Sequence, residues 1–344
     1  MDKLDMRHCN IPVFIPHLGC PNQCVFCNQR SISERMEFRE SDVRQQIDTA
    51  LSTLQSGDTA EIAFFGGSFT GIDRELMMRL LDLAEGYVRQ GRVASIRLST
   101  RPDYISEEIL EILSRYSVRH IELGLQSMDD AVLQASKRGH TARDAENACR
   151  MVLQAGFSLV GQMMIGLPSS TPETEMETAR RICKLGASAV RIYPTVVFYD
   201  TPLCEMAQSG TYVPMTVEEA VARTAPVLQF FRANQIPCIR LGLCATETLT
   251  SKEAVLGGPN HPALGELIMS ECAYLEIYRA LEAKGLLGTQ VVLEVPEKEV
   301  SIAVGQHRSN IKRLLRETGT DVRRVIGKKN GEGITLYPYS QNPF

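Results

Sequence analysis

Residues 19–27 read GCPNQCVFC, which puts Cys20, Cys24 and Cys27 in a C-x3-C-x2-C run inside a loop marked by Gly19 and Pro21. A loop imposes no fixed alternation on its side chains, so three thiolates this close can turn inward onto one metal centre. Structural zinc takes four protein ligands, and a fourth Cys or His at zinc-ribbon spacing is absent here, although His17 lies nearby. An iron-sulfur cluster held by three Cys leaves one iron open to another ligand. Zinc completed by a distant residue stands as the alternative. The other seven cysteines (Cys9, Cys149, Cys183, Cys204, Cys238, Cys244 and Cys272) are single, and isolated thiols are ordinary small core residues. Cys238 and Cys244 share CIRLGLC, which reads as a buried strand.

Outward from this loop, hydrophobic runs predict six strands, at residues 12–17, 61–65, 95–98, 120–123, 158–165 and 189–193. Between them DVRQQIDTALSTLQ, RELMMRLLDLAEGYVRQ, SEEILEILSRY, ARDAENACRMVLQAG and TPETEMETARRICKLG carry apolar residues at three- and four-residue spacing, the mark of amphipathic helices. A repeating βα unit predicts a parallel sheet, and barrels of this kind collect their functional groups in the loops after the strands. The polar and glycine-rich clusters fall at those ends: GCPNQCVFC, GGSFT, STRPDY, GLQS, GLPSST and YPT. The expectation is an α/β protein: a partial (β/α)6 TIM-like barrel over residues 1–245, a helical extension at 246–288 and a small α+β domain at 289–344.

Composition sets the limits. The chain has 344 residues, 44% hydrophobic and 23% charged, with a net charge of -4, enough apolar material for a large core and no general polycation. The first residues, MDKLDMRHCNIPVF, show no secretory signal and no run of about 18 apolar residues occurs, so the expectation is a cytoplasmic protein without a membrane partner.

The cysteine loop, with Phe26 directly before its third Cys, resembles the signature of the radical S-adenosylmethionine (SAM) superfamily. The resemblance implies a 4Fe-4S cluster on Cys20, Cys24 and Cys27, SAM chelated to the fourth iron, and cleavage of SAM to a 5'-deoxyadenosyl radical on reduction by a donor such as flavodoxin or ferredoxin. It further implies that Phe26 lies near the adenine and that the backbone at Gly66, Gly67 and Ser68 meets the SAM amino group. Arg101 and Gln126, ending the third and fourth strands, are suited to the SAM carboxylate and ribose hydroxyls. Arg138 and His140, in KRGHT, are placed to face the site. A surface ion pair is the plainer alternative for either arginine. Gln162 is polar within an apolar run and so needs a partner, SAM or substrate among them. Tyr193 and Pro194 either shape a substrate cavity or belong to the core.

FFGGSFTGI, LSTRPDYI, ELGLQSMDDAVLQASKRGHT, MMIGLPSSTPETEMETAR and VRIYPTVVFYDTPL are similar to the Elongator catalytic-subunit family across roughly residues 60–205. That resemblance implies modification of a tRNA base. The compact C-x3-C-x2-C spacing departs from the family's wider loop, and no acetyltransferase domain fits in the remaining length.

In GGPNHPALGELIMSECAYLEIYRAL, His261 and Glu266 are either acid/base groups or tethers of the helix start. The terminal region reads as strand QVVLEV, strand EVSIAV, helix HRSNIKRLLRET, strand DVRRVI and strand GITLYPY. Between Gly305 and Gly331 stand eight Lys/Arg against Glu317 and Asp321, a basic corner on an acidic chain. AVGQHRSNIKRLLRETG resembles a KH module, with Gly305 at its first glycine and Arg308 where the second belongs. The resemblance implies RNA contacts at Gly305, Gln306, Arg308, Lys312 and Arg313. The leading expectation is thus a radical SAM enzyme acting on RNA, most plausibly tRNA. A radical SAM enzyme for a small molecule such as a tetrapyrrole, and a non-catalytic RNA-binding protein, stand beside it.

Overall fold

Strand patterning places the chain's core. The computed structural model describes residues 8–15, 18–20, 24–28, 38–55, 57–243, 254–329, 331 and 333–339, so His17, Pro21, Cys244 and the boundary at 245 lie outside the described residues. Strands β1 (His8–Ile15), β2 (Thr59–Gly66), β3 (Ser95–Thr100), β4 (Val118–Gln126), β5 (Ser158–Ile165) and β6 (Ala189–Pro194) correspond to the six expected segments. A short β7 (Val197–Phe198) then precedes β8 (Cys238–Leu241), and β9 (Val255–Gly257) pairs antiparallel with β7. The main sheet is parallel and open, in the order β1-β2-β3-β4-β5-β6-β8. It therefore has seven strands rather than six. The added strand β8 is the one expected within CIRLGLC, but instead of being buried it is a four-residue edge whose residues are half-buried or exposed.

Helices α1 (Glu40–Ser52), α2 (Arg74–Arg89), α3 (Glu107–Ser114), α4 (Asp130–Ala135), α5 (Ala142–Gln154), α6 (Pro172–Lys184), α7 (Pro202–Gln208) and α8 (Val217–Ala233) occupy the crossovers and the segment before β8. Their starts follow from local chemistry: the Asp73 carboxylate accepts from the Leu76 amide, Thr141 and Asp144 form a reciprocal box at α5, and Thr171 with Pro172 opens α6. One face of the sheet is apolar, with Ile62, Phe64, Ile96, Leu98, Ile121, Leu123, Met163, Val190 and Ile192 at most 1% exposed. Each contributes about 1.5–3 kcal/mol of burial.

Period two sends the alternate residues to the opposite face, and there the strands carry charge. Arg97 donates through Nε and Nη2 to Glu61 Oε2 at 3.1 and 2.9 Å and through Nη1 to Glu122 Oε1 at 3.0 Å. Arg191 pairs with Glu122 Oε2 at 2.8 Å, and His120 Nδ1 lies 2.7 Å from Glu61 Oε1. Every carboxylate in this buried layer has a cationic partner, which is the condition for keeping such charges out of water.

The chain divides into two compact units, Met1–Thr216 with Phe230–Asn260, and Val217–Gln229 with His261–Phe344. The second unit contains α9 (Leu264–Ala283), β10 (Gln290–Pro296), α10 (Val300–Val304), α11 (Ser309–Thr318), β11 (Asp321–Lys328) and β12 (Thr335–Pro338). Its sheet has the order β11-β10-β12, with β10 parallel to β11 and antiparallel to β12. The stretch EVSIAV, expected as a strand, forms a turn and α10 instead, with Ala303 in the core beside Ile277, Leu293 and Leu314. Short apolar runs do not distinguish the two periods. Tyr274, Ile277 and Leu281 of α9 belong to that same core, so the helix placed in the 246–288 extension packs with the C-terminal sheet. His261 Nδ1 accepts from the Ala263 amide at 3.1 Å, just before α9. Among the described residues, no helix is long and apolar enough to cross a membrane.

Candidate functional site

The cysteine loop leaves β1 and crosses the loop after β2 backbone against backbone. The Gly67 amide donates to the Ile15 carbonyl at 2.8 Å and the Ser68 amide to the Leu18 carbonyl at 3.2 Å. A Cβ at Gly67 would stand 2.0 Å from the Leu18 oxygen, and one at Gly19, whose φ is +72°, 2.2 Å from the Ser68 oxygen. These glycines therefore let two loops touch. Buried Ser68 places its Oγ 3.6 Å from Cys20 Sγ.

The second half of the loop is anchored elsewhere. The Val25 amide donates to the Ser136 carbonyl, its carbonyl accepts from the Leu203 amide, and the Cys27 amide closes a turn onto the Cys24 carbonyl at 3.1 Å. Phe26 packs against a cluster of Val25, Val197, Leu203, Cys204 and Tyr212. Cys24 is buried, and Cys20 and Cys27 are half-buried. Of the single cysteines, Cys149, Cys204 and Cys272 are buried while Cys9, Cys183 and Cys238 are half-buried. Burial pushes the Cys149 thiol up to about 12, which makes it inert.

Two guanidinium groups flank Cys24. Arg138 Nη1 lies 3.3 Å from its Sγ while Nη2 donates to the Gly124 carbonyl at 2.6 Å, and Arg101 Nη1 lies 3.9 Å from the same sulfur. Arg101 is fully buried and already committed: Nε and Nη2 each donate to the Asp103 carboxylate at 2.9 Å, and Nη2 also to the Arg138 carbonyl at 2.6 Å. Burial would lower its pKa, but Asp103, followed by the Cys24 and Cys20 sulfurs, raises it above the ordinary arginine value. Arg101 is thus tied to protein groups rather than left open for the SAM carboxylate. Asp103, which sequence reasoning passed over although it stands in the quoted STRPDY, is its partner. His140 lies 3.8 Å from Asp103, with its side chain wholly buried and neither ring nitrogen hydrogen-bonded among the described residues.

Gly124 brings further residues together. A Cβ there would fall 2.7 Å from Arg138 Nη2 and 2.8 Å from Gln126 Nε2, so both side chains pass where any other residue would stand. Gln126 is buried at φ +67°, a left-handed conformation that costs a non-glycine residue about 1–2 kcal/mol. Its Oε1 accepts from Gln162 Nε2 at 3.4 Å. Cys24, Arg138, Gly124, Gln126 and Gln162 consequently form one connected set, and Cys20, Gly67 and Ser68 form another. Tyr193 is half-buried, its hydroxyl 3.3 Å from Arg191 Nη1. The charged layer of Glu61, Arg97, Glu122 and Arg191 was missed by sequence reasoning, and its signal was the alternation of charged and apolar residues within β2, β3, β4 and β6.

The donor chemistry fits an iron-sulfur cluster: three thiols on one loop, one of them sheathed by two cations that would offset thiolate charge, with Arg138 Nε lacking a partner among the described residues. Among the described residues, Cys20, Cys24 and Cys27 included, no three His, Cys, Asp or Glu side chains come together closely enough to hold a single metal ion. A cluster bound here by Cys20, Cys24 and Cys27 would supply one-electron chemistry.

Residues 14–182 match the radical SAM superfamily, and residues 187–274 match the radical SAM C-terminal domain. The chain is 29% identical over 239 residues to an uncharacterized protein of Methanocaldococcus jannaschii, covering 66% of this chain and 73% of that one. It is 28% identical over 181 residues to the tRNA uridine(34) acetyltransferase of the same organism, covering 47% of this chain and 34% of that relative. With Elongator complex protein 3 of Saccharomyces cerevisiae the figures are 25% over 221 residues, 58% of this chain and 40% of the relative. The chain thus spans well under half the length of those two relatives. The structure of archaeal Methanocaldococcus infernus Elp3 with an N-terminus deletion is similar in fold, with a TM-score of 0.60 at 21% identity, covering 82% of this chain and 64% of that one. Sheet, cysteine loop and matched regions agree that the chain belongs to the radical SAM superfamily, enzymes that bind a 4Fe-4S cluster and SAM, with Elongator-like relatives.

Proposed function

We propose that this radical SAM enzyme modifies an RNA base, with tRNA as the substrate. On this reading Cys20, Cys24 and Cys27 hold the cluster, the backbone at Gly66, Gly67 and Ser68 meets the SAM amino group, and Gln126 with Gln162 meets its ribose. The observation that carries the RNA substrate is the entry to α11. Gly305, His307 and Arg308 all have positive φ there, and Arg308, Lys312 and Arg316 follow at one-turn intervals, each exposed. Such a stripe suits a phosphate backbone. Arg313 is unsuited to it, because its guanidinium pairs with Glu271 at 2.7 Å and Glu317 at 3.1 Å and stacks on the Tyr274 ring at 3.8 Å. Relatives named as tRNA uridine(34) acetyltransferases give the choice of tRNA its support.

The test has two parts. Nucleosides from a deletion strain, compared with its parent by mass spectrometry, should lack one modified species. In gel-shift titrations with bulk tRNA, replacing Arg308, Lys312 and Arg316 by Ala should reduce the slope of log affinity against log salt by about 2. Unchanged nucleosides together with absent or salt-insensitive tRNA binding would overturn the RNA reading and leave a small-molecule substrate.

A further inference from the structure

Arg138 presents a problem of charge. It is 7% exposed, and its guanidinium bonds the Gly124 carbonyl and approaches Cys24 Sγ, yet no carboxylate forms an ion pair with it among the described residues. The carboxylate at hand, Asp103, is engaged by Nε and Nη2 of Arg101. Burying a cation without a counter-charge is costly, and removing it from water here requires a negative group near Nη1. The sulfur 3.3 Å away becomes that group when it is a thiolate, the state in which cysteine ligates iron. Arg101 supports the arrangement from behind by donating to the Arg138 carbonyl at 2.6 Å, which fixes the turn that carries Arg138.

We propose that Arg138 is a positioning residue that donates a charge-assisted hydrogen bond to the Cys24 thiolate and thereby holds the cluster's reduction potential up, with Arg101 bonded to its backbone carbonyl. The inference rests on the reading that Cys20, Cys24 and Cys27 hold the 4Fe-4S cluster. Reduction adds one electron, supplied in the test by dithionite; the thiolate bonds persist and no proton moves. A cation and a hydrogen bond at sulfur both favour the added negative charge, whereas a nearby carboxylate opposes it. The two kinds of substitution must therefore act in opposite directions.

The experiment is a redox titration of the anaerobically reconstituted full chain, followed by the electron paramagnetic resonance signal of the reduced cluster and carried out without SAM. Arg138→Gln should lower the equilibrium constant for reduction about tenfold, a shift of about 59 mV to more negative potential. Arg138→Lys should recover part of this, and Asp103→Asn should move the potential the other way. Should Arg138→Gln fail to retain iron, the Lys and Asn variants decide the matter. Full clusters with potentials equal to wild type, with only SAM affinity altered in the Arg138 variants, would overturn the inference and assign Arg138 to SAM alone. Iron and sulfide far below about four per wild-type chain would instead overturn the cluster reading, and this inference with it.

Discussion

His140 offers a quantitative test of the packing behind Cys24. Its ring is wholly buried, and burial together with the Arg138 cation lowers its pKa from 6.5 to about 4, with Asp103 at 3.8 Å only partly opposing them. The nearby Arg101 cation acts in the same direction as Arg138. A folded-state pKa below the unfolded one means that the open chain binds the proton more readily. The stability associated with neutral His140 is therefore complete above about pH 6.5 and is lost as the pH falls toward 4. The full loss is about 3 kcal/mol, of which about 2 kcal/mol has gone by pH 5. His140→Leu removes the titration while keeping similar volume. Denaturant unfolding of wild type and variant at about pH 8 and pH 5 gives a double difference in which shared carboxylate contributions cancel. It should come to about 2 kcal/mol, with the wild type losing more on acidification. Proton NMR gives a second readout, since the imidazole resonance absent from the variant should titrate near pH 4. Equal pH dependence in both chains, or titration of that ring near 6.5, would show that the space around His140 admits water and would refute the argument.

Two further outcomes follow from the geometry. Gly67→Ala drives a Cβ to 2.0 Å from the Leu18 oxygen, so it should cost at least the 1–3 kcal/mol of overpacking and reduce the iron retained per chain after reconstitution, both measurable on one preparation. Arg97→Met strips Glu61 and Glu122 of their shared cation and should destabilise the fold by about 3–5 kcal/mol in denaturant. Although burial raises the Glu61 pKa, His120, Ser95 and Arg97 hold it well below the usual carboxylate range. Its stabilisation is present above the ordinary carboxylate value and lost on acidification, so the variant should begin acid unfolding at higher pH.

The parts of the site legible in the sequence were those where composition and position coincide. Polar, glycine-rich loops recurring after each apolar strand place Cys20, Gly67, Arg101 and Gln126 at one end of a parallel sheet without any knowledge of contacts. What a single chain conceals is how each polar group is satisfied. Arg101 reads equally well as a ligand for a carboxylate or as an ion pair, and only the structure shows its Nε and Nη2 on Asp103. The same holds in the second unit, where Arg313 and Arg316 are indistinguishable by type. The former is locked onto Glu271 and Tyr274, whereas the latter meets only Glu317 among the described residues, at 3.1 Å, and keeps a side chain 72% exposed.

Backbone conformation was concealed for a related reason. Gly305 announces a turn, but Gln126 at φ +67° and Arg308 at φ +62° adopt left-handed conformations that their residue types do not advertise. At Arg308, where the resemblance to a KH module expects a second glycine, an arginine adopts the left-handed conformation that glycine takes more easily. Strain of about 1 kcal/mol or more is sustained only where the surroundings over-determine it. Ser309 Oγ and Asn310 close against Gly305 supply that constraint, and Asn310 itself is tied by its amide to the Ser270, Ile302 and Ala303 carbonyls.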